Sequence, residues 1–309
     1  MKTVTTIAGL RTMLDEHRRR GDTVGLVPTM GYLHSGHASL MQRAAAECDV
    51  VVASIFVNPL QFGAGEDLDA YPRDLEGDTR TAAAAGTTVL FTPSLDEMYP
   101  GGRDAVLTSV SVAELPTVME GASRPTHFSG MCTVVAKLFN IVGPCHAYFG
   151  DKDFQQLAIV RRMVRDLSFP VHVVGCPIVR EDDGLAMSSR NVNLSSAERA
   201  VAPVLQRALA TGAAAIRGGE TSPARIRVIM ADVIATQDLG VLDYVEVADP
   251  DTLQPVESAD VRSRLFGAVQ FARARLIDNI AASDESDRAA ADTIRSGSAA
   301  PEGSEAATS

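Results

Sequence analysis

Residues 24–40 read VGLVPTMGYLHSGHASL, and the order of the parts in this stretch decides what kind of sheet the chain builds. Val24-Gly25-Leu26-Val27 is an apolar run of the length expected for a buried strand. Pro28 and Gly31 interrupt it as turn residues do, and the Ala-, Leu- and Met-rich segment from Ala38 to Cys48 has the composition of a helix. A strand, a tight loop and a helix start together aim backbone N–H groups and the positive end of the helix at an anion. His34 and His37, three residues apart at that helix start, share one face, so both rings can reach the same phosphate. A lone HxxH also occurs as a polar helix start or as half of a metal site. The rest of the chain favours the nucleotide.

Outward from this stretch the pattern repeats. Residues 2–20 read as a lead-in strand followed by an amphipathic helix. Val50 to Val57 is an almost uninterrupted apolar run that suits a central parallel strand, and it stops at Asn58-Pro59. A helix over about 74–86, a strand over 88–92, a helix over 131–141 and a short strand at 147–149 follow. That strand runs into Gly150-Asp151-Lys152-Asp153, and a helix over 154–167 and a strand over 171–174 complete the series. Alternating strand and helix over this length predicts an α/β fold, a Rossmann-like doubly wound parallel sheet. Ligands in such sheets sit at the carboxyl ends of the strands, where Pro28–His37, Asn58–Gln61 and Gly150–Asp153 can converge.

After Pro177 the texture changes. Residues 178–282 read as a smaller α+β domain, with a helix over 195–217 capped by Ser195-Ser196, a helix over about 222–237, and strands over 242–247 and 267–272. Residues 283–309 are Ala-, Ser-, Asp-, Glu- and Gly-rich with hardly an apolar side chain, the composition of a disordered acidic tail. The expected organisation is therefore 1–177, 178–282 and the tail.

Composition narrows the class. The chain of 309 residues is 46% hydrophobic and 22% charged, as soluble globular proteins are. A net charge of −11 argues against a nucleic-acid or anionic-membrane partner. The four cysteines show no paired spacing, which fits a reducing cytoplasmic setting without disulfides or structural zinc. No signal peptide and no run of membrane-spanning length is apparent.

Several side chains offer chemistry. Lys152, just past a strand end, would set an ammonium against charge developing on a phosphate, although a lysine there is often a solvated charge. Met187-Ser188-Ser189-Arg190 offers two hydroxyls and a guanidinium within one turn, a set that grips phosphate oxygens or simply caps a loop. Asn58, Gln61, Gln155 and Gln156 are neutral amides suited to the hydroxyls and carboxylate of a small polar substrate. The chain has no GxxxxGK[ST] loop and no GxSxG elbow, so P-loop and hydrolase readings fall away, and the lack of a GxGxxG after the first strand counts against a dinucleotide dehydrogenase.

Taken together, VPTMGYLHSGH, SIFVNPLQFGAGEDLDAYPR, RPTHFSGM, YFGDKDFQQ and REDDGLAMSSRN resemble the pantoate–β-alanine ligase family, within the wider HxGH nucleotidyltransferase superfamily. The resemblance runs in register from about residue 22 to 195 and more weakly to about 280. It implies ATP-dependent condensation of pantoate with β-alanine through a pantoyl adenylate, releasing pyrophosphate and then AMP. Carried onto this chain, it implies an ATP site of Met30, Gly31, Tyr32, Leu33, His34, Ser35, Gly36, His37, Gly150, Asp151, Lys152, Asp153, Val179, Met187, Ser188, Ser189 and Arg190. His34, His37, Lys152, Ser188, Ser189 and Arg190 would act in catalysis, and Gln61, Gln156, Asn58 and Met30 would hold pantoate or β-alanine. It also implies a cytoplasmic homodimer, and Mg²⁺ carried mainly by the ATP phosphates. Some members pair two acidic residues after Tyr71-Pro72-Arg73; here Gly77 takes one of those positions, which leaves Asp78 as the candidate metal ligand. A nucleotidyltransferase that keeps the nucleotide on its product is an alternative, but it leaves the four amides without a role. A non-catalytic nucleotide sensor is a second alternative and has no use for Lys152.

Overall fold

A computed structural model describes residues 1–63, 68 and 71–284. Six strands form one sheet: β1 (Lys2–Val4), β2 (Val24–Thr29), β3 (Val50–Ile55), β4 (Val89–Phe91), β5 (Cys145–Gly150) and β6 (Val171–Cys176). Between them run α1 (Ile7–Arg19), α2 (Ser35–Glu47), α3 (Leu75–Ala84), the short α4 (Leu95–Met98) and α5 (Met119–Ser123), α6 (His127–Val142) and α7 (Phe154–Asp166). The strand order is β1-β4-β3-β2-β5-β6 and every pairing is parallel. The chain winds outward from β2 in one direction and from β5 in the other, so the order reverses between these two strands. That reversal is where an open α/β sheet offers a crevice.

The crevice has a backbone cause. β2 pairs with β3 over its whole length, from Val24 with Val50 to Thr29 with Ile55. Its pairing with β5 is confined to Gly25 with His146 and Leu26 with Ala147. Beyond that point β2 carries Pro28, which has no N–H to donate to a neighbouring strand. The sheet parts at its centre. The expectation that Pro28 ends the strand is corrected: β2 continues two residues further, paired on the β3 side alone.

One face of the sheet is sealed by α2 and α3. Leu40, Met41, Ala44 and Ala82 pack on Val27, Val51, Ala53, Leu90 and Tyr148, all buried. Complete burial of a Leu or Met side chain contributes about 1.5–3 kcal/mol, so Leu40 and Met41 fix α2 to the strand whose loop begins it. The helix starts at Ser35 rather than Ala38, so His34 is its N-cap and His37 stands in its first turn. Likewise α6 starts at His127 rather than Met131.

The chain divides into two compact units, residues 1–194 with 251–254, and residues 195–250 with those from 255 onward. The boundary expected at 177/178 therefore lies at 194/195, and the MSSR stretch belongs to the first unit. The reason is local: a bridge between Arg180 and Ala186, with the Met187 N–H donating to the Val179 carbonyl at 2.9 Å, folds residues 179–187 into a hairpin that continues β6.

In the second unit the helix expected over 195–217 is two, α8 (Ser196–Val201) and α9 (Val204–Arg217), because Pro203 cannot continue the ladder. Ser195 does cap α8, in a capping box with Glu198. Then come α10 (Pro223–Ile234) and an antiparallel sheet of β7 (Val241–Ala248), β8 (Arg264–Gln270) and β9 (Arg275–Ala281) in that order. The sequence reading misses β9. Its pattern is broken by Asp278 and Asn279, which are both buried here. The disordered tail expected over 283–309 falls almost wholly on residues 285–309, which lie outside the described residues, as do 64–67, 69 and 70 of the loop after Gln61.

Candidate active site

A cavity opens where the sheet parts. Pro28 to Met30 from the end of β2 and Phe149 to Asp153 from the end of β5 form opposite sides, Asp151 excepted. His34, Gly36 and His37 supply the start of α2, and Asn58 and Gln61 the turn after β3. Gln156 stands on α7, Val179 and Met187 on the hairpin, and Ser188 to Arg190 at the start of the 3-10 turn that follows it. The three strand-end loops converge as the alternation of elements predicts.

The two histidines do more than point at the cavity. The His34 Nδ1 accepts from the Gly36 N–H at 3.1 Å, and the His37 Nδ1 faces the His34 N–H at 3.4 Å. Together they form a capping box made of two imidazoles, with ring centroids 4.1 Å apart. A backbone N–H can only donate, so each Nδ1 must be an acceptor. A neutral ring then carries its proton on Nε2. Burial pushes His34 down to about 4, helped by the Lys152 ammonium, and pushes His37 down to about 3, helped by His34. At neutral pH both rings are therefore neutral Nε2–H donors at a helix N-terminus, a constellation made for phosphate oxygens.

Lys152 keeps only 17% of its side chain exposed, and its Nζ lies 3.2 Å from Asp153 Oδ1. Burial alone would raise the Asp153 carboxyl, but Lys152, Arg190 and His127 together hold it below its ordinary range, so it is ionised. The ammonium is thus held at the mouth of the helix by a carboxylate that also lines the cavity. Just past the hairpin, Ser188 accepts from the Arg190 N–H at 3.2 Å, and the Tyr71 phenol lies beside Ser189.

Other expected site residues serve the cavity from behind. Asp78 is 3% exposed, and its two carboxylate oxygens accept from the Tyr32 N–H at 2.9 Å and the Leu33 N–H at 2.6 Å. It holds the loop that carries the histidines and is corrected from candidate metal ligand to loop anchor. That loop needs holding, because Gly31 and Tyr32 both take left-handed backbone, φ 87° and 52°, which is costly for a tyrosine. Gly31, Tyr32, Leu33 and Ser35 form the loop and helix start without lining the cavity. Asp151 lies beside Gly175 of β6, not toward the cavity. Gln155 is turned away too: its amide bonds the Leu115 and Val118 carbonyls and the Glu120 N–H. Asn58 lines the cavity, but its amide is held by protein partners.

The sequence reading also misses a wall. Met131, Val134, Val135 and Leu138 of α6 line the cavity on its apolar side, with Phe56 and Leu40. Helical spacing marks these positions as core, and nothing local distinguishes a core face from one that faces a ligand. Tyr71 enters the sequence reading only as part of a motif.

A family model described as Pantoate-beta-alanine ligase matches residues 2–281. The chain belongs to the pantoate–β-alanine ligase family. A pantothenate synthetase of Heliobacterium modesticaldum is 54% identical over 280 residues, covering 91% of this chain and 99% of that one. One from Geobacter sp. (strain M21) is 56% identical over 261 residues, 84% of this chain and 92% of the relative. Among solved structures, pantothenate synthetase from Thermus thermophilus is similar with a TM-score of 0.86 at 49% identity, covering 91% of this chain and 99% of that one. Pantoate-beta-alanine ligase from Francisella tularensis, complexed with β,γ ATP and β-alanine, gives a TM-score of 0.75 at 33% identity over 92% and 98% of the two chains. As a pantoate–β-alanine ligase, the chain is an enzyme that forms an amide bond in the ATP-dependent synthesis of pantothenate. The nucleotidyltransferase and sensor alternatives give way to this.

Proposed function

We propose that the cavity carries out the ligation in two half-reactions, both by positioning and charge stabilisation. In the first, a pantoate carboxylate oxygen attacks the α-phosphorus of ATP. The bond to the bridging oxygen breaks, and pyrophosphate leaves with the electron pair. In the second, the β-alanine nitrogen attacks the acyl carbon of the pantoyl adenylate, AMP leaves, and the nitrogen gives up a proton to form pantothenate. No side chain becomes a covalent nucleophile, since the substrate's own carboxylate attacks.

His34 and His37 donate through Nε2–H to the phosphates, and the Lys152 ammonium stabilises charge that grows on the α-phosphate. Ser188, Ser189 and Arg190 grip the leaving pyrophosphate from the turn after the hairpin. Asp153 accepts from ribose hydroxyls, and the Val179 backbone meets adenine. Gln61 and Gln156 hold the oxygens of pantoate, and the α6 wall receives its methyl groups. That wall also keeps water from the adenylate. The observation that carries this reading is the capping box: it leaves two neutral N–H donors, and no acid, at the phosphate site.

The residues present supply no protein cage for a magnesium ion. Among the described residues no group of three or more His, Cys, Asp or Glu could hold a metal, and Asp78 is occupied by the loop. Magnesium would enter as the counter-ion of the ATP phosphates. The reading includes a cytoplasmic homodimer without a nucleic-acid partner. Among the described residues no helix is long and apolar enough to cross a membrane.

The test is pyrophosphate release from ATP and Mg²⁺, first with pantoate alone and then with β-alanine added. Release that requires pantoate, with AMP and pantothenate accumulating only after β-alanine, supports the two half-reactions. Release that waits for β-alanine would rule out a free adenylate stage.

A further inference from the structure

Asn58 precedes the single turn Pro59–Gln61 and is 1% exposed. Its amide has four hydrogen-bonding positions, and all four are filled. Nδ2 donates to the Gly130 carbonyl at 3.1 Å and to Gln61 Oε1 at 3.1 Å. Oδ1 accepts from the Tyr99 hydroxyl at 2.9 Å and faces the Leu60 N–H at 3.4 Å.

Two of these partners have no choice of role. A backbone carbonyl only accepts and a backbone N–H only donates. Turning the Asn58 amide over would set carbonyl against carbonyl at Gly130 and N–H against N–H at Leu60. Gly130 can take this place because it has no side chain: a Cβ there would stand 2.1 Å from the Leu60 carbonyl oxygen. The orientation of Asn58 then dictates that of Gln61. Since Asn58 offers it a donor, Gln61 must offer Oε1 in return, and its Nε2 faces Met30 Sδ at 3.1 Å. Both residues line the cavity, and a thioether is a weak acceptor that a substrate oxygen can replace. Tyr99, whose hydroxyl could in principle donate or accept, is left with donation only. It is 3% exposed, and burial pushes its phenol up, so the proton stays in place.

We propose that Tyr99 is a positioning residue for the hydroxy-acid substrate: the Gly130 carbonyl and the Leu60 N–H set the direction of the Asn58 amide, and the Tyr99 hydroxyl, its shortest contact, holds the amide in the place where Gln61 must be a pure donor toward the cavity. The inference rests on the reading that Gln61 meets pantoate, and deepens it. A donor-only amide donates to carboxylate or hydroxyl oxygens and sets no lone pair against them. The reversed amide would set its own carbonyl against a carboxylate.

Two variants test this. Tyr99→Phe keeps the ring, which meets Phe56 edge-on at 5.8 Å between centroids, and removes only the hydroxyl. The loss of one neutral hydrogen bond corresponds to a factor of about three to ten. The expected result is a rise of that size in KM for pantoate, with kcat and KM for ATP unchanged. Asn58→Asp removes both donors, so Gln61 must turn to donate to it and present Oε1 to the cavity. The kcat/KM for pantoate should then fall on the order of 100-fold, while ATP binding measured without pantoate is retained. An unchanged KM for pantoate in Tyr99→Phe, or an equal rise in both KM values, would overturn the proposal, because a merely structural tyrosine moves both or neither. Circular dichroism checks that Asn58→Asp is folded, and Tyr99→Phe decides alone if it is not. Wild-type pyrophosphate release that ignores pantoate would sink the underlying reading and this proposal with it. Pantoate-dependent wild-type release beside a normal Tyr99→Phe would sink the relay only.

Discussion

Lys152 and the two histidines divide the electrostatic work by kind. The ammonium carries a full charge for the transition state, whereas the imidazoles carry none and contribute as oriented dipoles. Lys152→Ala should therefore lower kcat by roughly 10²–10³-fold, as removal of one preorganised donor does, with little change in fold. Turnover near wild type would remove Lys152 from the transition state. The histidines make a pH prediction. The unfolded chain takes up protons on these rings below about 6.5, while the folded rings resist until about 4 and about 3. Stability they contribute is complete above 6.5 and is lost as pH falls from there toward about 3, which urea midpoints across that range would show. Because the rings act without a proton to give, kcat/KM for ATP should not decline between about pH 6.5 and 8. A decline in that interval that vanishes in His37→Asn would mean that His37 is an acid after all.

At the scale of elements, the histidine loop depends on α3, which supplies Asp78. Asp78→Asn would turn one of two acceptors into a donor facing a backbone N–H. The cost should be about 1–3 kcal/mol, the usual range for a buried donor left unsatisfied. Chemical denaturation reads that loss, and a raised KM for ATP should accompany it because the capping box moves with the loop. Gly31→Ala should act in the same direction, since its Cβ would meet Asp78 Oδ2 at 2.9 Å at φ 87°. This dependence explains what was legible in the sequence. Strand-end loops are local, so Pro28–His37, Asn58–Gln61 and Gly150–Asp153 could be placed together from alternation alone. The partners that commit a side chain are distant: Gln155 is taken up by carbonyls at 115 and 118, Asn58 by Tyr99 and Gly130, and Asp78 by N–H groups at 32 and 33. An amide or carboxylate reads the same in sequence whether it faces substrate or backbone, and only the fold separates the two.

At the scale of the molecule, the central parallel strands read clearly because they are nearly continuous apolar runs, Val50 to Val57 above all. β9 did not, because two of its polar residues, Asp278 and Asn279, are buried. The boundary was misplaced because a change of texture at Pro177 marks the end of the sheet, not the end of the packing unit. The proposed homodimer belongs to this scale too. Sedimentation equilibrium at micromolar concentration should give twice the chain's 32.7 kDa, and a monomer would withdraw it.

The parted centre of the sheet has one more consequence. Two blocks of strands, β1-β4-β3-β2 and β5-β6, are sewn together over only Gly25–Leu26 and His146–Ala147. An ATP molecule held between the start of α2 and the end of β5 would stand where the next rungs of that ladder would have been. Substrate is then a missing stitch, and amide hydrogen exchange should register it. Nucleotide should slow exchange along the β2–β5 seam more than along the β1–β4 seam at the edge of the sheet.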